Sequence, residues 1–155
     1  MILLTWNRDH EADTWPNYDD YLNVNLDGAH IIATWTVRSG IRIEDVEDVF
    51  MFIQGEQHPR GLIAAGWITG EPEEVPHFEN EAAAEGRKSG RIRWVIESML
   101  PKDTPVPLEA LESQVPDIKW RHLYYSGVRV PPECEEQLRA AWDNHVDLLN
   151  DINPS

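Results

Sequence analysis

Five short apolar runs, separated by turn-forming residues, limit the folds open to this chain. The first run alternates Ile2, Leu4 and Trp6 with other residues, which is the period of a half-buried strand. All five have the length typical of strands and are bounded by turn residues. The runs cover residues 2–6, 30–37, 49–55, 61–70 and 91–100.

Three further segments have the spacing of helices. Residues 15–27 carry apolar side chains at three- and four-residue steps and end at Gly28, a helix stop. Pro107 is placed to begin a short second helix. Pro131 and Pro132 open a last helix whose apolar stripe predicts core packing. The members of that stripe are Leu138, Ala141, Trp142, His145 and Leu149.

The order of these elements predicts an α+β fold. Strands and helices do not alternate strictly, so a doubly wound parallel sheet is not expected. We expect a small β-barrel of about five to six strands with flanking helices. Between the last two strands, the acidic residues 71–85 predict a long surface excursion, which is either a functional loop or a disordered one.

Length and cysteine content bound the class of protein. A chain of 155 residues predicts a single domain, residues 1–155. One cysteine, Cys134, excludes an internal disulfide and a Cys-rich zinc site, and is typical of a reducing, cytoplasmic compartment. The first apolar run follows no basic segment, which predicts a strand rather than a signal peptide. No apolar stretch approaches the roughly 20 residues that cross a bilayer, so we expect no membrane partner.

The charge balance is strongly acidic, with 13 basic against 28 acidic residues and a net charge of -15. A mean field of this sign repels phosphate, which argues against a chain that coats nucleic acid non-specifically. Solubility or a saline cytoplasm is sufficient to explain such acidity. A local basic site is compatible with it, and one cluster is visible at Arg87, Lys88, Arg91 and Arg93.

The sequence contains no recognisable catalytic motif. The GLIAAG segment lacks the spacing and the lysine of a phosphate-binding loop, and a GxSxG elbow is absent. The six histidines are scattered without an HExxH or paired His/Cys spacing, so we expect no metal. Cys134 stands beside glutamates, which raise rather than lower the pKa of a thiol. We therefore predict that this chain alone is not an enzyme and needs no cofactor.

Tryptophan is the unusual residue, with seven in the chain. Trp94 and Trp142 fall on apolar periodic faces, where core packing explains them. Trp6 and Trp35 stand near strand ends beside small polar residues, an arrangement that suits a pocket for a flat heteroaromatic ligand. The alternative for Trp35 is that it fills the barrel, since it has the parity of Val37.

An ordered set of residues spanning nearly the whole chain resembles the EVE domain of the PUA-like superfamily. In the first half the set comprises Leu4-Thr5-Trp6-Asn7, Trp35 with Ser39-Gly40, Val49-Phe50, Gln54-Gly55, and Arg60 to Ala64 with Gly66. In the second half it comprises Pro76-His77-Phe78, Arg93-Trp94, Leu108, Leu111, Pro116, Trp120, Ser126-Gly127, Val130-Pro131, Leu138 and Trp142. The chain is particularly similar to EVE domains fused to HNH nucleases in modification-dependent restriction enzymes.

The resemblance implies a small PUA-like barrel that accepts a flipped, modified base into an aromatic-lined pocket. The implied partner is double-stranded DNA containing 5-methylcytosine or 5-hydroxymethylcytosine, with N6-methyladenine as a further candidate. The implied pocket consists of Trp6 and Trp35, with polar contacts from Asn7, Ser39, Gln54 and Ser126. The implied phosphate contacts are Arg38, Arg87, Lys88, Arg91, Arg93 and Arg129. Glu47 departs from the family pattern, because related sequences tend to carry glycine there.

The resemblance implies that any nuclease activity belongs to another module. An HNH nuclease needs His and Asn spaced on a metal-binding ββα finger, and we expect no such finger after Trp142. Any cleavage would come from a fused or partner HNH domain. Two other functions stay open: RNA or nucleotide binding on the same fold, and an acidic protein that mimics DNA and occupies a nuclease's basic groove. A mimic predicts evenly spread carboxylates, whereas a reader predicts a basic rim.

Overall fold

The framework of the molecule is one curled, mixed β-sheet. The computed structural model describes residues 1–9, 15–38, 40–43, 46–76 and 88–152, with the side chains of 75, 76, 88 and 152 left aside. The described strands are β1 (Ile2–Asn7), β2 (Ile31–Val37), β3 (Glu47–Gln54), β4 (Gly61–Ile68), β5 (Glu73–Pro76), β6 (Lys88–Met99), β7 (Val106–Pro107) and β8 (Val128–Arg129).

The strand order is β2-β6-β4-β3-β1-β8, while β5 pairs with β6 and β7 pairs with β4. The pair β1 and β3 is parallel, with Trp6 opposite Ile53 and Asn7 opposite Gln54. The other described pairs are antiparallel. The α+β class and the curled half-barrel agree with the small barrel expected from the sequence.

Three helices and one short 3-10 turn complete the described fold. They are α1 (Tyr18–Leu26), α2 (Leu108–Gln114), the 3-10 turn Trp120–His122, and α3 (Pro132–Ile152). Gly28 follows α1 with a φ of 98°, a left-handed conformation that favours glycine, so it ends the helix as expected. None of the helices in the described ranges is long and apolar enough to span a membrane.

The sheet separates two hydrophobic cores because successive strand residues point to opposite faces. Ile2, Leu4 and Trp6 belong to the first core, which α1 covers. Leu3 belongs to the second core, between the other face and the helices α2 and α3. Three residues of the predicted α3 stripe are buried there, with Leu138, Ala141 and Trp142 all at most 6% exposed, whereas His145 and Leu149 are only partly buried.

The residue after β2 and the segment before β8 lie next to each other in the curled sheet, although the strands β2 and β8 themselves do not pair. The backbone N–H of Arg38, just after β2, donates to the carbonyl of Ser126 at 3.1 Å. The N–H of Gly127 donates in turn to the carbonyl of Leu3 in β1 at 2.9 Å. The segment before β8 therefore joins β1 to the end of β2.

The main departure from the sequence-based expectation lies in the acidic segment 71–85. Residues 73–76 form β5 against β6, with Glu73 opposite Arg91. The surface-excursion prediction is therefore wrong for these four residues, and its part from 77 onward lies outside the described residues. The backbone ladder with β6 orders this segment, and periodicity did not indicate it because four residues are too few to show a period.

Candidate functional site

Trp35 occupies a distinctive position in β2. Its indole N–H donates to the hydroxyl oxygen of Ser126 at 3.0 Å and lies 3.3 Å from the carbonyl oxygen of Thr5. The side chain is only partly buried, although it packs against the first core. The ring contacts the core, as one sequence-based alternative predicts, and it also keeps exposed surface, while its place in a ligand pocket stays a prediction. Its polar edge is fixed by the hydrogen bonds.

Trp15 links Trp35 to an aromatic cluster in the first core. The Trp15 and Trp35 ring centroids are 5.2 Å apart, and Trp15 also contacts Trp6 at 5.4 Å. Trp6 stacks on Tyr18 at 5.3 Å and is only 4% exposed. As it stands, Trp6 presents no open face to a ligand. It supports Trp35 through Trp15.

The hydroxyl of Ser126 has its hydrogen-bonding capacity filled inside the protein. Its oxygen lies 2.9 Å from the backbone N–H of Thr5 and 3.0 Å from the indole N–H of Trp35, both donors. The hydroxyl itself donates to the carbonyl of Thr5 at 3.2 Å. A hydroxyl offers one donor and two acceptor sites. Ser126 therefore orients Trp35 rather than offering a free polar group to a base edge. Ser39 lies outside the described residues.

The basic residues divide into paired and unpaired groups. Arg38, Arg91 and Arg93 are exposed and form no ion pair with any described residue. Arg38 directly follows β2, while in β6 Arg91 faces Thr36 and Arg93 faces Thr34 of β2. The same β2–β6 ladder contains Trp35, paired with Ile92. The guanidinium groups of β6 and the Trp35 ring thus share two adjacent strands, on opposite faces of the sheet beside the β2 edge.

Arg129 differs from these three arginines because it is already ion-paired with a carboxylate. Its guanidinium is ion-paired with Glu47 and donates to the carbonyl of Arg42 at 2.8 Å. Burial by itself raises the pKa of Glu47, but hydrogen bonds from Arg129 and the amino terminus lower it overall. The residue that departs from the family pattern therefore connects β3 to β8. Arg87 and the side chain of Lys88 lie outside the described residues.

Asn7 and Gln54 are not brought together with Trp35. They lie opposite each other at the carboxyl ends of the parallel strands β1 and β3, on the face of the second core. Neighbours on a strand point to opposite faces, so Trp6 and Asn7 cannot line one pocket while β1 is extended. The two amides line a cleft of about 310 Å³ instead. Its lining is Asn7, Phe52, Gln54, Gly55, Glu56, Arg60, Trp120, Arg121, Leu123 and Tyr124.

Asp9 fixes the turn after β3, of which Gly55 and Glu56 line this cleft. Its carboxylate accepts from the backbone N–H groups of Glu56 at 2.6 Å and Gln57 at 3.0 Å. It also lies 2.8 Å from Nδ1 of His58. These contacts, led by the hydrogen bond from Gln57, hold the pKa of Asp9 below its ordinary value. The resemblance singled out Asn7 and Gln54 of the cleft, but no sequence pattern indicates Asp9 or a role for Arg60 here, because these residues come from separate segments that only the fold brings together.

Other reactive groups are few in the described part of the chain. No three His, Cys, Asp or Glu side chains within it are arranged to hold a metal ion. Cys134 is buried, and burial together with Asp117 and Glu133 raises its pKa, as the sequence predicted. A protonated, buried thiol is a poor nucleophile. The chain matches no family model, no curated protein and no solved structure.

Proposed function

We propose that this protein is a reader of modified bases in double-stranded DNA, built on a PUA-like barrel of the EVE type. The base it reads is 5-methylcytosine or 5-hydroxymethylcytosine, flipped out of the duplex. The chain itself performs no chemistry on the DNA. A fused or partner HNH nuclease would supply cleavage, and both would act in the cytoplasm.

The observation that carries this proposal is the combination found in the β2–β6 ladder. Trp35 offers a partly exposed ring whose orientation is fixed by Ser126 and Thr5. Arg91 and Arg93, in the neighbouring strand, carry guanidinium groups that form no ion pair with a described carboxylate, although Glu73 of β5 lies opposite Arg91. The ring lies on one face of the sheet and the two guanidinium groups on the other, both beside the β2 edge, so a duplex approaching this edge could place its flipped base on Trp35 and its phosphates on the arginines.

Each residue in and beside the ladder has a separate task in this proposal. Trp35 stacks on the flipped base, an interaction worth roughly 1–3 kcal/mol per base. The hydrogen bonds to Ser126 and Thr5 hold the ring in position before the DNA arrives, so little freedom is lost on binding. Arg38, Arg91 and Arg93 contact phosphates on the duplex around the flipped nucleotide. In this proposal, Ser39 provides a hydrogen bond to the edge of the base.

The acidic surface sets the character of the interaction. A net charge of -15 opposes approach of the duplex, so affinity depends on the few unpaired arginines and on the base contact. This balance disfavours unmodified DNA, because phosphate contacts alone cannot overcome the repulsion. Discrimination therefore comes from the pocket, while the charge suppresses non-specific binding.

A binding panel tests the function directly. Matched duplexes carry 5-methylcytosine, 5-hydroxymethylcytosine, N6-methyladenine or no modification, and a single-stranded RNA of the same sequence is the control. We expect a cytosine-modified duplex to bind at least tenfold more tightly than the unmodified one. Preference for the RNA would favour the RNA-binding alternative. Failure to bind any nucleic acid, together with inhibition of a DNA nuclease by the protein, would favour the DNA-mimic alternative.

A further inference from the structure

The cleft at the carboxyl ends of β1 and β3 contains a buried acceptor without a donor. Oε1 of Gln54 is buried and has no hydrogen-bond partner, and only two other described side-chain atoms share this state, the indole nitrogens of Trp6 and Trp94. Leaving a buried polar group unsatisfied is costly. Of the three atoms, only that of Gln54 belongs to a residue lining the cleft. The Gln54 side chain as a whole is only partly buried, so a rotation of its amide would turn this oxygen toward a ligand in the cleft.

Asn7 provides the complementary group beside it. Its Oδ1 accepts the backbone N–H of Asp9 at 2.9 Å, which fixes the amide with its oxygen toward the turn. The amide nitrogen donates to no described residue and stays available. Asn7 and Gln54 are register partners in adjacent strands. A donor and an acceptor side by side match the edge of a nucleobase, which presents the same pair in reverse.

Arg60 provides an unpaired cation in the same cleft. Its side chain is partly buried and makes no hydrogen bond or ion pair with any described residue, although its charge helps to lower the pKa of Glu112. The second guanidinium, that of Arg121, is held by Glu112 through two hydrogen bonds of 2.9 and 2.8 Å. The lining carboxylate, Glu56, is exposed and does not pair with Arg60. A guanidinium in this state is suited to bind a phosphate.

The cleft also has the size and the apolar surface of a ligand-binding site. Phe52, Trp120 and Leu123 are buried residues of the second core that line the cleft, and the ring of Tyr124 is 69% exposed among its lining residues. The cleft volume of about 310 Å³ is near the lower end of the range for ligand sites, roughly 300–1,000 Å³. A single nucleotide fits such a space, whereas a duplex does not.

We propose that this cleft is a second binding site that takes one nucleotide, with the base edge on Asn7 and Gln54 and the phosphate on Arg60. The site faces the second core, whereas Trp35 packs on the first core. It therefore stands independently of the function proposed for Trp35. The nucleotide is either free or part of a single strand.

Titration followed by two-dimensional NMR of the indole N–H groups tests the site. The ligands are AMP and CMP, the nucleosides adenosine and cytidine, ribose 5-phosphate, and a 5′-phosphorylated single-stranded tetranucleotide. We expect AMP or CMP to shift the indole resonance of Trp120, whose N–H donates to the carbonyl of Val115 at 3.0 Å, and to leave that of Trp35 in place. Nucleoside and ribose 5-phosphate should each bind at least about tenfold more weakly, because each lacks one half of the recognition.

The tetranucleotide identifies the source of the nucleotide. Tighter binding than AMP or CMP indicates a strand, whereas equal or weaker binding indicates a free nucleotide; both outcomes support the site. If neither the mononucleotides nor the tetranucleotide shift Trp120, the proposal is wrong. Modified duplex DNA is titrated separately, and its effect on the Trp35 resonance reports on the other proposal.

Matched variants assign the contacts. Gln54→Leu and Arg60→Gln should each weaken nucleotide binding about tenfold or more. Gln137→Leu and Arg139→Gln make the same chemical changes at exposed positions on α3 and should leave it unchanged. Arg60→Gln removes no internal hydrogen bond of the side chain, so it remains informative if Gln54→Leu fails to fold. Undiminished affinity in a folded Arg60→Gln variant would overturn the phosphate contact.

Discussion

The indole N–H of Trp35 donates to the hydroxyl of Ser126, 3.0 Å away, across 91 positions of the chain. The same hydroxyl accepts the backbone N–H of Thr5 in β1. Three separate segments therefore meet at one buried oxygen: the edge strand β2, the strand β1, and the turn before β8. The orientation of the proposed stacking ring depends on this junction, which also links the edge strand β2 to β1.

Replacing Ser126 with alanine should destabilise the domain. The substitution leaves the buried N–H of Thr5 without an acceptor, which typically costs about 1–3 kcal/mol. Chemical denaturation measures the decrease in unfolding free energy. Ser113→Ala, at an exposed position of α2, is the control and should change stability by no more than about 0.5 kcal/mol. Equal stability of the two variants would show that the junction contributes nothing.

Gly66 tests the packing between β4 and β6. A Cβ atom at this position would lie 1.8 Å from the backbone carbonyl oxygen of Val95, at a register shift between the strands. Because a backbone atom cannot move aside cheaply, Gly66→Ala should cost about 3 kcal/mol or more. Gly70→Ala meets no atom within 4 Å and should cost only the strain of its φ of +87°, roughly 1–2 kcal/mol. Denaturant melts that rank the variants the other way round would contradict this register.

The ion pair of Glu47 and Arg129 predicts a component of acid sensitivity. The folded-state pKa of Glu47 is lowered, so its contribution to stability is present above the ordinary value of 4.5 and is lost as the pH falls through the folded pKa. Wild type should therefore exceed Glu47→Gln in unfolding free energy near neutral pH, and the difference should shrink below pH 4.5. Glu136→Gln, at an exposed position, is the comparison. A difference that stays constant down to low pH would exclude this role for the pair.

The sequence predicted the regular elements well where periodicity was strong. The five long strands, α1, α2 and the buried stripe of α3 lie close to their expected positions. The two-residue strands β7 and β8 could not be predicted, because two residues carry no period. The parallel pairing of β1 with β3 could not be predicted either, because it depends on which strands the curled sheet brings together.

The candidate site was predictable only in part. The position of Trp35 near a strand end indicated a special tryptophan, and its partial burial fits that. Asn7 and Trp6 are neighbours in sequence, yet the alternation of a strand sends their side chains to opposite faces, so the prediction of one shared pocket is wrong. The ion pair that occupies Arg129 joins residues 82 positions apart, so no local pattern could reveal it.

Arg91 and Arg93 should determine the salt dependence of DNA binding. Replacing both with alanine removes two unpaired cations, so affinity for modified and unmodified duplexes should fall alike. The slope of log affinity against log salt should flatten by about one for each phosphate that is no longer bound. Titrations between roughly 50 and 200 mM salt measure the slope. Arg139→Ala, which removes a cation already paired with Asp48, is the control. An affinity of the parent protein that does not change over this range would contradict the electrostatic account.

The most direct test of base reading is Trp35→Ala, with affinity and thermal stability measured on the same preparation. Removing a base-stacking ring should weaken binding of modified DNA about 5- to 150-fold. Trp94→Ala is the core control, because Trp94 is fully buried and truncating such a ring typically costs about 3–5 kcal/mol. We expect Trp35→Ala to melt well above Trp94→Ala and to lose its preference for modified over unmodified duplexes. If Trp35→Ala melts as low as the control, or binds modified DNA as tightly as the parent, Trp35 is a core residue and not the stacking surface.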